Sequence, residues 1–263
     1  PIEEKLKPYG LFPDGEVEDY AFTIGSASSS SSSSSTSACT PSNPAPAGYW
    51  KLDENDSSTA NDSTIFNNAG AHQNGVATGV SGAPVLFTNP GAASFDGSND
   101  YTLVTNTTGL PSGNSARTLM SWVNMDTVGY QASIISLGDG ATSDQRFIFM
   151  VGNEPAIGPT YVFTDGLNGA NNIVISGSDV PATGGWHHVA FSYDGAGNWA
   201  YYLDGVLKQS GTFPVAINTV TNVVEIGARH DSATGFFDGK LDDVRIYSSA
   251  LTTQQIAAIA GGA

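Results

Sequence analysis

Beyond residue 47 the chain alternates between short apolar runs and clusters of Gly, Asn and Asp. Strands of a half-buried sheet need that two-residue period, and turns need those breakers. Tyr49–Leu52, Tyr101–Val104, Leu119–Val123, Ser133–Leu137, Phe147–Val151 and Tyr161–Phe163 are predicted strands. So are Ile173–Ile175, His187–Tyr193, Trp199–Leu203, Val223–Ile226 and Leu241–Tyr247. Asp194-Gly195 and Asp204-Gly205 read as hairpin turns, and Asn74-Gly75 as a third, because glycine takes positive φ without a Cβ penalty. Strands at this spacing predict an all-β, antiparallel sandwich rather than a parallel α/β sheet. Only Thr252–Ala260 has a helical pattern. Thr252 can cap it, Ile256 and Ile259 give it an apolar side, and Gly261 can end it.

The first 47 residues have a different pattern. Residues 1–25 are too few to bury a core of their own. Within them Val17 precedes Tyr20, Phe22 and Ile24, which alternate with small or polar residues, so they predict an extended arm with one apolar-faced strand. Residues 26–47 form a linker: Ser28 to Ser35 are consecutive serines, and Pro41, Pro44 and Pro46 follow. Serines give flexibility and prolines an extended exit. The expected organisation is an arm (1–25), a linker (26–47) and a sandwich (48–263). An uncovered strand such as residues 16–24 can add to a neighbour's sheet, so self-association is one expectation.

Charge narrows the partners. The 263 residues hold 25 acidic and 9 basic side chains, a formal net charge of −16. Such a chain repels phosphate backbones, so nucleic acid is not expected. No apolar run of ~18 residues exists to span a membrane. The single cysteine, Cys39, excludes an intrachain disulfide. The first residue is Pro1, which fits a processed chain or a fragment.

A family resemblance rests on several motifs in order. They are Gly48-Tyr49-Trp50-Lys51-Leu52-Asp53-Glu54, Ala93-Ser94-Phe95-Asp96-Gly97-Ser98-Asn99-Asp100-Tyr101 and Leu119-Met120-Ser121-Trp122-Val123. Gly185-Trp186-His187-His188-Val189-Ala190-Phe191 and Tyr202-Leu203-Asp204-Gly205 follow. Last come Phe237-Asp238-Gly239-Lys240-Leu241-Asp242-Asp243-Val244-Arg245-Ile246-Tyr247 and Ala250-Leu251-Thr252. Together they resemble the laminin-G-like branch of the concanavalin A-like lectin/glucanase superfamily. The resemblance implies a jelly roll of two curved antiparallel sheets. Gly15-Glu16-Val17-Glu18-Asp19-Tyr20 is similar to the end of a GEVED domain, which with the serine linker implies a secreted or surface bacterial protein.

The superfamily includes glycosidases, so catalysis needs a test. Glycoside hydrolysis uses two carboxyls on either side of one bond. The E-x-D-x-x-E strand of laminarinase-type members is absent, and Glu54, Glu154 and Glu225 lie far apart in sequence. A hydrolase is therefore the remote alternative and the chain is read as a non-enzyme. His187 and His188, adjacent on a strand, point to opposite faces and cannot readily share a metal.

Calcium is the chemical hypothesis. Asp242, Val244 and Ile246 share a period-two face, which puts Asp242 on an apolar parity where a buried carboxylate needs a cation or several donors. Asp96 and Asp100 could supply more oxygens to a hard cation. The resemblance adds that, in related jelly-roll enzymes, an aspartate at this place in the last strand binds structural calcium. For ligand recognition, Trp199 beside the Asp194–Asn198 turn is the best exposed aromatic, with Tyr130, Tyr161 and Arg146 as further candidates. Trp50, Trp122 and Trp186 are expected in the core. The expected function is a non-catalytic extracellular binding or adhesion module for a glycan or protein. The alternative is a subunit of a self-assembling extracellular fibre.

Overall fold

The computed structural model describes residues 43–55, 58–138, 145–154, 158–161, 171–175, 177–229 and 235–262. The predicted arm and most of the linker, with Val17, Tyr20, Phe22 and Ile24, lie outside the described residues.

The strands, in chain order, begin with β1 (Gly48–Trp50), β2 (Thr59–Ala60), β3 (Gly70–Gln73) and β4 (Ala77–Val80). Next come β5 (Ala92–Asp96), β6 (Tyr101–Val104), β7 (Arg117–Met125) and β8 (Ser133–Leu137). They continue with β9 (Phe147–Met150), β10 (Gly152–Glu154), β11 (Gly158–Tyr161) and β12 (His187–Tyr193). The last are β13 (Asn198–Leu203), β14 (Val206–Thr212), β15 (Val224–Ile226) and β16 (Asp238–Tyr247), followed by α1 (Thr253–Ala260).

Two antiparallel sheets form a sandwich. One is eight-stranded, in the order β14-β13-β12-β7-β16-β5-β4, with β1 also paired to β16. The other is six-stranded, in the order β2-β3-β6-β15-β8-β9. Side chains from both sheets interdigitate in one core that includes Trp50, Phe95, Val123, Ile135, Phe149, Phe191, Val224 and Val244. Burying this apolar surface is the main driving force of the fold.

The outer side of the eight-stranded sheet carries a second, smaller core. Met120, Ala190, Tyr202 and Tyr247 pack there against Ile256 and Ile259 of α1. The helix forms as its sequence predicts. Thr252 caps it, its hydroxyl accepting from Gln255 N while Gln255 reaches back, a capping box, and Gly261 ends it.

One end of the sandwich is closed by a buried cation. Arg117 has no exposed surface. It donates to the carbonyls of Gly113 (2.8 Å) and Ser115 (3.1 Å) and to Thr219 Oγ1 (2.9 Å). Its guanidinium lies 4.9 Å from the Phe147 ring centre on the facing sheet. Burial pushes its pKa down to about 10, so it keeps its charge at neutral pH.

Sequence and structure differ at the sheet margins. Ile173–Ile175, predicted as a strand, forms no ladder; residues 171–175 and 177–184 form a strap. Its apolar residues Ile173 and Ile175 are buried by packing on the core, which mimics a strand's signature. The edge strands β14 and β4 escape the pattern because they carry few apolar residues. β14 is exposed along almost its whole length, has a register irregularity opposite Tyr201–Tyr202, and carries Lys208. Bulges and lysines are the devices that stop edges from pairing with other chains.

Candidate functional site

Two regions gather the chemistry-bearing side chains. The first lies on the outer side of the eight-stranded sheet. Asp242 is fully buried, but not on the core parity. Asp242 pairs with Trp122 and Arg245 with Met120, so β16 places two residues, Asp243 and Val244, opposite the single Ser121 of β7. Asp243 absorbs the extra residue with φ 49°, as bulges require. Leu241, Val244 and Ile246 therefore face the core, while Asp242 faces outward beside Trp122. The bulge flips the alternation and takes Asp242 off the apolar parity predicted for it.

Asp242 is covered by the segment that includes Ala83 and Asn89. Its Oδ2 accepts from Ala83 N and Asn89 Nδ2, both at 2.7 Å. Its Oδ1 and the Asn89 Oδ1 are buried and accept no hydrogen bond. Burial pushes the Asp242 carboxyl up to about 7, with Asp243 and Asp53 adding repulsion against the two donors. Nearby, Asp243 Oδ1 accepts from the Tyr49 hydroxyl and lies 3.5 Å from Arg245 Nη2. The Arg245 guanidinium also stacks 4.4 Å from the Tyr49 ring centre. Three carboxyls, Asp53, Asp242 and Asp243, thus repel one another here, and Asp243 alone of them pairs with the buried Arg245 guanidinium.

Asp96 and Asp100 are not part of this cluster. Asp96 pairs with Asp238, four strand positions from Asp242, or about 13 Å. Its Oδ1 accepts from the backbone of Ser98, Asn99 and Asp100, which holds its carboxyl below the usual range. That is the chemistry of a turn-capping aspartate. Among the described residues no three His, Cys, Asp or Glu side chains converge as a metal set. Calcium at Asp242 would instead draw on one carboxylate and the Asn89 amide, whose buried, unpartnered oxygens fit a hard cation.

The second region is the inner face of β13. Trp199, Tyr201 and Leu203 share it by alternation, opposite Tyr193, Phe191 and Val189 of β12. Trp199 is half-buried. Its indole stacks on Phe191 (centroids 6.0 Å, 20°) and tilts against Phe213 at 6.3 Å. It lies over Gly211 of β14, where a Cβ would sit 2.7 Å from Cζ2. Only glycine leaves the ring that place. Beyond the indole opens a pocket of about 200 Å³, walled by Asn171, Asn172, Val174, Gln209, Thr212 and Pro214. Among the described residues no lining side chain is ionisable at neutral pH.

Tyr201 is fully buried between the ends of the face. At the other end Leu203 borders a larger cavity of about 750 Å³ beneath the strap, which His187, Asp204 and Lys208 also line. His187 and His188 do point to opposite sides. His187 Nδ1 lies 2.9 Å from Asp204 Oδ2, and His188 is buried edge-on to Trp122.

The other candidates are scattered. Tyr130 is an exposed residue of the segment after β7, and Arg146 is half-buried just before β9. Tyr161 ends β11, and its side chain lies outside the described residues. None of the three lines the Trp199 pocket. Trp50 is core, donating its Nε1 to Asn68 O at 2.8 Å. Trp122 and Trp186 are only half-buried, contrary to the core expected for them. Trp122 is missed because the β7 alternation sends it outward, toward the Asp242 cluster. The amides of Asn171, Asn172 and Gln209 carried no motif; only folding brings them to Trp199.

With this geometry established, comparison with known proteins places the fold. A family model described as the concanavalin A-like lectin/glucanases superfamily, of laminin-G type, matches residues 96–257. The chain belongs to that superfamily. No curated protein matches the sequence significantly. Among solved structures, domain 4 of AbnA, a GH43 extracellular arabinanase from Geobacillus stearothermophilus, is 24% identical with a TM-score of 0.59. The match covers 83% of this chain and 100% of that domain, which was solved in complex with arabinotriose. The botulinum neurotoxin serotype D ligand binding domain, solved with N-acetylneuraminic acid, is 15% identical with a TM-score of 0.53. That match covers 82% of this chain and 50% of the toxin domain, so this chain spans about half of that domain's length. The binding domain of Paraclostridial Mosquitocidal Protein 1 is 14% identical, with a TM-score of 0.52 over 80% of this chain and 52% of that one. At these identities the likeness is one of fold.

Proposed function

We propose that this chain is a non-catalytic, extracellular glycan-binding module. The carrying observation is the Trp199 pocket. A half-buried indole, held by Phe191, Phe213 and Gly211, faces three amide side chains and no charge. A sugar ring has an apolar C–H face and an equatorial rim of hydroxyls. The indole suits the face, and the exposed Gln209 amide and Thr212 hydroxyl can donate to and accept from the rim. The pocket is below the roughly 300 Å³ at which drug-sized sites begin, so it suits a single ring. Solved relatives of the fold hold arabinotriose and N-acetylneuraminic acid, which supports a saccharide over a protein ligand.

Chemistry on a glycosidic bond would need paired carboxyls. The Trp199 pocket has none among its described lining residues, so binding rather than cleavage is the reading. Calcium is proposed as a structural partner held by Asp242 and Asn89. Its charge would offset the buried acids, and it would stiffen the outer face without touching the ligand. No helix of the described residues is long and apolar enough to cross a membrane.

The test is calorimetry of the full chain against arabinotriose, cellotriose and xylotriose, with Trp199→Ala alongside. The reading expects at least one sugar to bind and the variant to lose about tenfold or more, the scale of a lost aromatic platform. Equal affinity in the variant would reject the pocket as the site.

A further inference from the structure

The larger cavity at the far end of the β13 inner face is a separate constellation. It is lined by His187, Asp204 and Lys208, with Val128, Val180, Pro181 and Leu203 as its apolar wall. Asp204 sits in the two-residue turn between β13 and β14, with φ 52°, followed by Gly205 at φ 74°. Both of its carboxylate oxygens are committed. Oδ1 accepts from His188 N at 2.9 Å, and Oδ2 faces His187 Nδ1 at 2.9 Å. A carboxylate only accepts, so Nδ1 carries the proton in this contact, and in that tautomer Nε2 is the acceptor. The Lys208 ammonium, one of 9 basic groups in the chain, offers donors only. One cavity therefore presents a fixed acceptor and a mobile donor beside an apolar wall.

We propose that this cavity is a second saccharide site that recognises a vicinal diol. One hydroxyl donates to His187 Nε2, its neighbour accepts from Lys208, and the C–H face of the ring lies on Val180, Pro181 and Leu203. Asp204 is a positioning residue that fixes the imidazole tautomer. It also sets a negative charge in the lining that holds Lys208, so a neutral polyol is favoured over a phosphate or a uronate. With about 750 Å³ the cavity has room for more than one ring. The inference rests on the glycan-binding reading and adds a second address, roughly 13 Å along β13 from Trp199.

The experiment follows the imidazole and indole signals of the full chain by NMR during titration with arabinotriose, cellotriose, xylotriose, trigalacturonate or inorganic phosphate. Four histidines give few peaks, and His187→Gln assigns the one required. The expected result is that a neutral trisaccharide moves the His187 signal and that Lys208→Ala weakens this event about tenfold, as loss of a charged hydrogen-bond donor does. Lys208 is exposed, so the variant should fold. A sugar that moves Trp199 and leaves His187 still would overturn this inference and leave the glycan reading intact. Silence at both would overturn both. Preference of the His187 signal for phosphate or trigalacturonate would show an anion site and overturn the diol assignment.

Discussion

The two faces of the eight-stranded sheet handle polar groups in opposite ways. The outer face buries charge: Asp242 and Asp243 are closed off, and Arg245 is nearly so. The inner face places uncharged polar groups around Trp199: Asn171 is buried and donates to Val215 O at 3.0 Å, while Gln209 and Thr212 stay exposed. Buried charge is costly, is kept only with partners, and has no route to a large ligand. The exposed Gln209 amide and Thr212 hydroxyl beside an aromatic cost little and can exchange water for hydroxyls. On the proposed reading the outer cluster supports structure and the inner end recognises the ligand.

The largest blow to this contrast falls on the outer face. Arg245→Met leaves Asp243 buried without its guanidinium, and breaking such pairs costs about 3–5 kcal/mol. Urea unfolding should show it, with Asp243→Asn in the same chain recovering part. A cost below about 1 kcal/mol would mean the cluster is solvated, and the two faces are alike. Calcium gives the next effect. At a hundredfold excess over its Kd, a structural ion adds about 2.7 kcal/mol. Calcium should raise the Tm of the natural chain, and Asp242→Asn should abolish the rise. An undiminished rise in the variant would move the ion elsewhere. Neither change should alter sugar affinity if the faces are independent.

The smallest effect at neutral pH is expected at His188. Burial, with Arg245 nearby, pushes its imidazole from 6.5 down to about 3, and its Nδ1 has no hydrogen-bond partner. The folded protein refuses a proton that the unfolded chain accepts. The stabilisation is full above pH 6.5 and is lost progressively as pH falls toward 3. His188→Phe should be near neutral at pH 7 and should flatten the loss of Tm between those limits. An unchanged acid limb would show that the imidazole already titrates in the folded state.

How far the sequence could be read depended on whether the signal was local. The β12–β13 pair follows from period-two alternation and the glycine turns at its two ends. The α1 cap follows from Thr252 and Gln255, three residues apart. Asp242 was singled out as a buried carboxylate but assigned to the wrong side, because one bulge residue at Asp243 reverses the alternation and leaves no mark in the pattern. Ile173 and Ile175 looked like a strand because a strap packed on a core buries the same residues. At the candidate site Trp199 was singled out from its place beside a turn, and the structure places it half-buried at the wall of a pocket. The amides around it were not, since Asn171 and Gln209 meet only through a strap and an edge strand far apart in sequence.

The most direct measurement is the indole NMR spectrum of the full chain during titration with the tightest-binding trisaccharide. Four tryptophans give four indole signals, and Trp199→Phe assigns one. The account predicts that the Trp199 signal shifts in step with the calorimetric isotherm while Trp50, sealed in the core, stays in place. A sugar that binds by calorimetry and leaves the Trp199 signal unmoved would contradict it.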